Sequence, residues 1–196
     1  NLIMKIHFKK KYFLVDPTNY QNFWKNFSNW EQNDLDFVSQ IAEENKIFID
    51  IGAWIGPYTL IAASMGMKVY AFEPDKVAFQ ELKKNIKLNN FKHKPEIFNF
   101  GLSKTETKAY LYSNTADFGK SESGLINYKN QKNTKQTKIV LKNFLQEIYK
   151  IKNHNSNNKI KIIKIDIEGG EFLFEKDIYD LVKLEKIYCI FVNEII

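Results

Sequence analysis

Apolar residues recur along this chain with two periods. From Ile47 to Ile51 the run IFIDI is nearly continuous and β-branched, which predicts a central parallel strand covered on both faces. Gly56-Pro57 follows, with Pro57 suited to a first helical position. Leu60, Ile61 and Ala63 then continue as a helix that stops at Gly66, a C-terminal cap. KVYAFEP predicts a second strand, and DKVAFQELKKNIKLNN a second amphipathic helix with Val77, Leu82 and Ile86 on one stripe. EIFNFGL predicts a third strand. Short alternation of this kind defines an α/β fold, a doubly wound and mostly parallel sheet. Right-handed crossovers then set the loops after the strands along one edge, where ligands bind.

The flanks are less regular. NLIMKIHFKKKYFLVDP reads as two short strands around Lys9-Lys10-Lys11, followed by Tyr20, Phe23, Trp24, Phe27 and Trp30. Asn33 caps a helix carrying Leu35, Val38, Ile41 and Ala42 at helical spacing. Residues 1–46 thus form an N-terminal extension, either a lid over a ligand or a plain packing layer, and residues 47–196 form the core. Within the core, residues 104–158 are a polar insertion. It holds the strands KAYLYS and TKIVL, the helix KNFLQEIYKI, and the loop NTADFGKSESGLINYKNQKNTKQ between the strands. A loop of that length is functional or disordered. Regularity returns with a fourth strand and helix, KIKIIKIDIEGGEF, and a fifth strand, KIYCIFVNEI.

Composition narrows the setting. The 196 residues suffice for one domain with a real core, and 44% hydrophobic content marks the chain as globular. The single cysteine, Cys189, leaves no disulfide framework and fits a reducing, cytoplasmic compartment. No apolar stretch reaches the length of a membrane span. Opening on Asn1 rather than methionine is what a segment of a longer polypeptide would do, and an upstream glycosyltransferase would fit as a fused domain. The formal charge of +6 raises the question of nucleic acid. All of the basic charge is lysine, whereas nucleic-acid readers lean on arginine for bidentate contacts, so nucleic acid is not the expected partner.

The turn DIGAWIG lies where a doubly wound sheet binds ligands. Glycines let a backbone approach a ligand closely, and the free N–H groups of the next helix offer donors. Asp50 ends a buried strand, where an unpaired charge costs several kcal/mol. Glu73 ends the next strand, the position where a carboxylate accepts ribose hydroxyls; the alternative is capping of the following helix. A hydride cofactor would want Gly-x-Gly-x-x-Gly and a phosphate loop would end in Gly-Lys-Ser/Thr, and neither is present. An acid before the turn suits a cationic ligand, whose amino or sulfonium group it could meet.

In IKIIKIDIEGGEF a period of two puts Lys164, Asp166 and Glu168 on one side of the strand and Ile163, Ile165 and Ile167 on the other. Three ionisable groups at the carboxyl end of a central strand lie where ligands bind. The alternative, helix capping by the acids, does not account for Lys164. His7, His93 and His154 have no metal-ligand spacing, so no zinc site is expected. Magnesium could bind near Asp166 but is not expected either.

FIDIGAWIGPYTLIAASMGMKVYAFEPDKVAFQELKKNIKLNN together with IIKIDIEGGEF resembles the FkbM-type methyltransferases, which use S-adenosylmethionine on a Rossmann-like class I fold. Gly101–Ser103 and Ser123–Leu125 match more weakly. The resemblance implies that Asp50, Gly52, Ala53, Trp54 and Gly56 surround the methionine part of the cofactor. It implies too that Glu73 binds the ribose and that Phe100, Gly101 and Leu102 flank the adenine. Asp166 would face the methyl-transfer site, with Lys164 and Glu168 close by; its position makes Asp166 the expected base, with Lys164 orienting it or stabilising an alkoxide. Glu168 and Glu194 would hold acceptor hydroxyls, and Ser123 would lie at the acceptor side. The family's activity implies O-methylation, often of sugars in glycans or natural products. RNA 2′-O-methylation and a non-catalytic partner domain are the alternatives.

There are departures. Trp54 stands where the family often has asparagine, an aromatic wall that could favour a sulfonium. Val140-Leu141-Lys142 replaces the usual Thr-Leu-Asp. Two strands that normally follow the fifth are absent, so either the chain is a piece of a longer one or the N-terminal strands complete the sheet edge.

Overall fold

Strand and helix alternate through the middle of the chain as the two periods require. The computed structural model describes residues 2–113, 119, 123–124, 135–167, 175–185 and 187–191. Its elements run β1 (Met4–Phe8), β2 (Lys11–Val15), α1 (Gln21–Lys25), α2 (Gln32–Ile41), β3 (Ile47–Ile51), α3 (Pro57–Ser64), β4 (Lys68–Phe72), α4 (Lys76–Lys87), β5 (Glu96–Phe98) and β6 (Gly101–Ser103). After these come β7 (Thr107–Ser113), β8 (Ser123–Gly124), β9 (Lys135–Asn143), α5 (Phe144–His154), β10 (Ile160–Ile165), α6 (Glu175–Glu185) and β11 (Tyr188–Phe191). None of the described helices is long and apolar enough to cross a membrane.

Five strands form a wholly parallel sheet in the order β11-β10-β3-β4-β5. The chain winds outward from β3 through β4 to β5, then returns to the other side of β3 to lay down β10 and β11. Strand order therefore reverses between β3 and β10, and a crevice opens there at the carboxyl ends of the strands.

β3 shows why both faces are covered. Ile47, Ile49 and Ile51 pack with Phe144 and Ile148 of α5 and with Ile178 and Leu181 of α6, while Phe48 faces the opposite layer with Leu60 and Ile61 of α3. That opposite layer also contains Phe13, Val15, Trp24, Phe27, Leu35 and Val38. Residues 1–46 thus share one core with the sheet layer, joined to it by edge-to-face ring contacts such as Phe23–Trp54 at 4.7 Å and Trp30–Tyr58 at 5.6 Å.

Four expectations are corrected. EIFNFGL is two strands: β5 pairs with β4 only to Phe98, and β6 joins a second sheet, β6-β9-β7-β8, which fills much of the expected insertion. The N-terminal strands pair with each other as an antiparallel hairpin and do not complete the main sheet. α2 starts at Gln32 with Glu31 as its N-cap residue in the left-handed region (φ +44°), two residues before the expected Asn33 cap. Val77 sits on the exposed side of α4, where Ala78, Leu82 and Ile86 are the buried stripe.

Candidate active site

The turn after β3 is fixed by close approach and by carboxylates. Gly52 has φ +76°, and a Cβ there would lie 1.7 Å from the Asp166 carbonyl oxygen, so only glycine lets the ends of β3 and β10 meet. The amides of Gly52 and Ala53 both donate to the Phe72 carbonyl, tying the turn to the end of β4. Trp54 follows at φ +51°, and its amide donates to Glu73 Oε2 at 2.7 Å. Glu73 Oε1 accepts from the Asp75 amide at 2.7 Å. Burial raises Glu73 to about 8 even though these two amides favour its charge.

Beneath the turn lies a buried ion cluster. Lys164 Nζ is 3.2 Å from Asp50 Oδ1 and 3.6 Å from Asp166 Oδ2, and it donates to the Gly52 carbonyl at 2.7 Å. Asp50 Oδ2 accepts from Thr59 Oγ1 at 2.6 Å. Burial works against the lysine's charge, but Asp50 and then Asp166 outweigh it and hold Lys164 above the ordinary lysine range. Register pairing of Lys164 with Asp50 across β10 and β3 sets this geometry.

Above the turn a cavity of about 320 Å³ opens at the carboxyl ends of the strands. Its floor is Gly52, Ala53 and Trp54, with Glu73 and Asp75 on the β4 side, Asp166 and Ile167 after β10, and Gly101, Leu102, Leu111 and Leu141 from the second sheet. The N-terminal extension supplies Phe23, Trp30 and Glu31. Phe23 meets Trp54 edge-on at 4.7 Å, and Tyr58 Oη donates to Glu31 Oε2 at 2.7 Å. One residue of the long polar loop is anchored beside this wall. The Gly119 amide donates to Asp75 Oδ2, and its carbonyl accepts from Tyr20 Oη and Trp54 Nε1, each at 2.6 Å.

Most of the expected residues converge here. Gly52, Ala53, Trp54, Glu73, Gly101, Leu102, Lys164 and Asp166 all line the cavity. Three do not. Asp50, expected to meet the ligand's cation, is completely enclosed and instead neutralises Lys164. Gly56 caps α3 at φ +99° and packs toward Leu82. Phe100 packs with Phe72 and Phe98, under the Lys142 ammonium at 4.3 Å. Lys164 is 2% exposed, which suits an orienting cation rather than one meeting an alkoxide. Glu168, Glu194 and the side chain of Ser123 lie outside the described residues. Glu31, Tyr58 and Asp75 were not foreseen. The one signal for them was an acid directly after Trp30 at a helix start and another directly after Glu73-Pro74. Among the described residues no group of three or more His, Cys, Asp or Glu is placed to hold a metal ion.

A glycine turn, a buried acid at the end of the next strand and a crevice at the strand-order reversal define a doubly wound cofactor-binding domain. The Methyltransferase FkbM domain family matches residues 50–175, and the chain belongs to that family. An uncharacterized protein of Methanocaldococcus jannaschii is 29% identical over 80 residues, which are 41% of this chain and 29% of that protein. This chain therefore spans under a third of that relative's length.

Among solved structures, a SAM-dependent methyltransferase from Agrobacterium tumefaciens matches at 18% identity and TM-score 0.36, covering 50% of this chain and 32% of that one. The tRNA (uracil-54, C5)-methyltransferase of Pyrococcus abyssi, in complex with S-adenosyl-L-homocysteine, matches at 18% and 0.35, covering 50% and 24%. TYW2 of M. jannaschii, in complex with AdoMet, matches at 25% and 0.33, covering 50% and 43%.

Proposed function

We propose that this chain binds S-adenosylmethionine and transfers its methyl group to a hydroxyl of a sugar in a glycan or glycosylated product. The observation that carries this reading is the charge of the cavity wall. Glu31, Glu73, Asp75 and Asp166 face one cation, Lys164, which Asp50 already balances. Such a wall leaves no unbalanced lining cation for the phosphates of NAD or ATP, and its acids suit a nucleoside with net positive charge, whose arrival favours their ionised forms. When bound, the cofactor supplies an electrophilic methyl on a sulfonium leaving group.

The chain's own residues do the rest. Glu73 receives the ribose hydroxyls, since each carboxylate oxygen can accept a further hydrogen bond beside the amide it already holds. Gly52 and Ala53 bring backbone against the amino-acid part, and Gly101 and Leu102 form the apolar slot for the base. Asp166, held by Lys164, orients the acceptor and takes its proton as the new C–O bond forms. Positioning within about 3 Å is the main source of acceleration, and a base adds on the order of 100-fold to 10,000-fold. Glu168, Ser123 and Glu194 are assigned to the acceptor side on the family pattern alone.

Calorimetric titration with S-adenosylhomocysteine beside NAD tests the cofactor. Micromolar binding of the first alone, weakened in Glu73→Ala, is expected, and binding of NAD alone would overturn the reading. Transfer of labelled methyl from S-adenosylmethionine to a panel of methyl glycosides and to total RNA then tests the acceptor. The +6 charge keeps RNA 2′-O-methylation as a second reading, and label released by ribonuclease would favour it.

A further inference from the structure

Glu31 is built into the cavity at a cost. It is a non-glycine residue at φ +44°, a conformation that such residues adopt at a penalty on the order of 1 kcal/mol. The strain carries the chain from Trp30 into α2 so that both side chains reach the cavity wall. Tyr58, itself buried in α3, holds the Glu31 carboxylate through its hydroxyl at 2.7 Å. Phe23, Trp30 and Trp54 line the same wall. A carboxylate set among aromatic faces is the combination that recognises an organic cation.

Resting on the cofactor reading above, we propose that Glu31 reads the charge of the methyl donor: it faces the sulfonium from the extension's side of the cavity, so that the cationic donor is held and the neutral thioether product is let go. In the transfer the acceptor oxygen bonds to the methyl carbon, the C–S electron pair stays on sulfur, and the acceptor proton passes to the protein. The positive charge opposite Glu31 then disappears, and with it the attraction.

The groups around Glu31 make this charge recognition proton-linked. Burial raises Glu31 to about 7. The Tyr58 hydrogen bond lowers it, the Asp166 charge across the cavity raises it, Lys164 lowers it, and Asp34 on its own helix raises it. A cation seated opposite favours the ionised form, so binding releases protons near neutral pH. By reciprocity, a ligand that lowers the carboxyl's proton affinity tenfold binds the ionised form about tenfold more tightly.

The test compares two ligands that differ in charge at the sulfur position. Sinefungin carries an ammonium there, and S-adenosylhomocysteine carries nothing. Both are titrated calorimetrically at pH 7, in two buffers of different ionisation enthalpy, into the wild-type chain and Glu31→Gln. Glutamine can still accept from Tyr58, and a thermal melt checks that the variant is folded.

For the wild type, sinefungin is expected to release up to about half a proton more than S-adenosylhomocysteine and to gain affinity as pH rises through 7. In Glu31→Gln both effects vanish, and at pH 7, where half of the wild-type carboxyl is ionised, sinefungin weakens about fivefold relative to S-adenosylhomocysteine, whose own affinity holds. Equal weakening of both ligands, as a purely structural role would give, overturns the proposal, as does an unchanged preference. Failure of the wild type to bind either ligand would overturn the cofactor reading itself, and this one with it.

Discussion

Lys164 shows how one side chain can decide whether a site exists. Its ammonium balances Asp50, leans on Asp166 and fixes the Gly52 carbonyl. Replacing it by methionine leaves Asp50 charged and enclosed, so Lys164→Met is expected to cost about 3–5 kcal/mol in urea unfolding. Adding Asp50→Asn to the same chain should restore a large part of that loss, because the orphaned charge goes with it.

The residues of this cluster were legible in the sequence because a strand's period of two announces them. An enclosed charge on a central strand has to find its counterpart, and the neighbouring strand offered one. The actual partner of Asp50 was less legible: strand register, not spacing along the chain, sets it beside Lys164 instead of the ligand. Glu31 and Tyr58 were illegible for a different reason. They lie 27 residues apart in the chain and meet only after α2 and α3 pack.

At the scale of elements, α4 is fastened to its surroundings by a buried amide. Asn85 donates to the Ile55 carbonyl at 3.0 Å and accepts from the Asp16 amide at 2.9 Å, joining the helix to the glycine turn and to the end of the hairpin. Asn85→Ala would leave both backbone groups without their partner in a dry setting. The expected loss is about 2 kcal/mol, read as a lowered urea midpoint at unchanged slope.

Strands β3, β4 and β10 and the helices after the first two were legible from periodicity alone. The division of EIFNFGL was not, because its apolar pattern runs unbroken through the point where the chain changes sheets. What turns it there is Asn99, whose amide donates to the Glu73 and Pro74 carbonyls. That is a tertiary contact, and nothing in the local pattern foreshadows it.

Across the whole molecule, the cavity trades stability for a wall of buried acids. Glu31 and Glu73 have folded-state pKa values of about 7 and about 8, both raised by burial above the ordinary 4.5. The folded chain thus holds more protons than the unfolded one between these limits, and stability falls as pH rises through them. The stabilisation from a protonated Glu31 is full below pH 4.5 and is lost as pH passes about 7. Glu31→Gln, which has no such proton to lose, should therefore melt progressively higher relative to wild type between pH 5 and pH 8. Thermal melts of the two proteins at matched pH would show this as a widening gap, and a constant gap would count against it.

The extension that supplies Glu31 also supplies much of the apolar core, so cavity and fold stand on the same residues. The three tryptophans of that core are unequally placed. Trp30 and Trp54 border the cavity, whereas Trp24 is 2% exposed within the core and takes no part in its lining. Light absorbed by the indoles is therefore re-emitted from two sensors at the site and one reference in the interior. A ligand entering the cavity should dim or shift the first pair and leave the third unchanged, so the unlabelled chain is an optical gauge of its own occupancy.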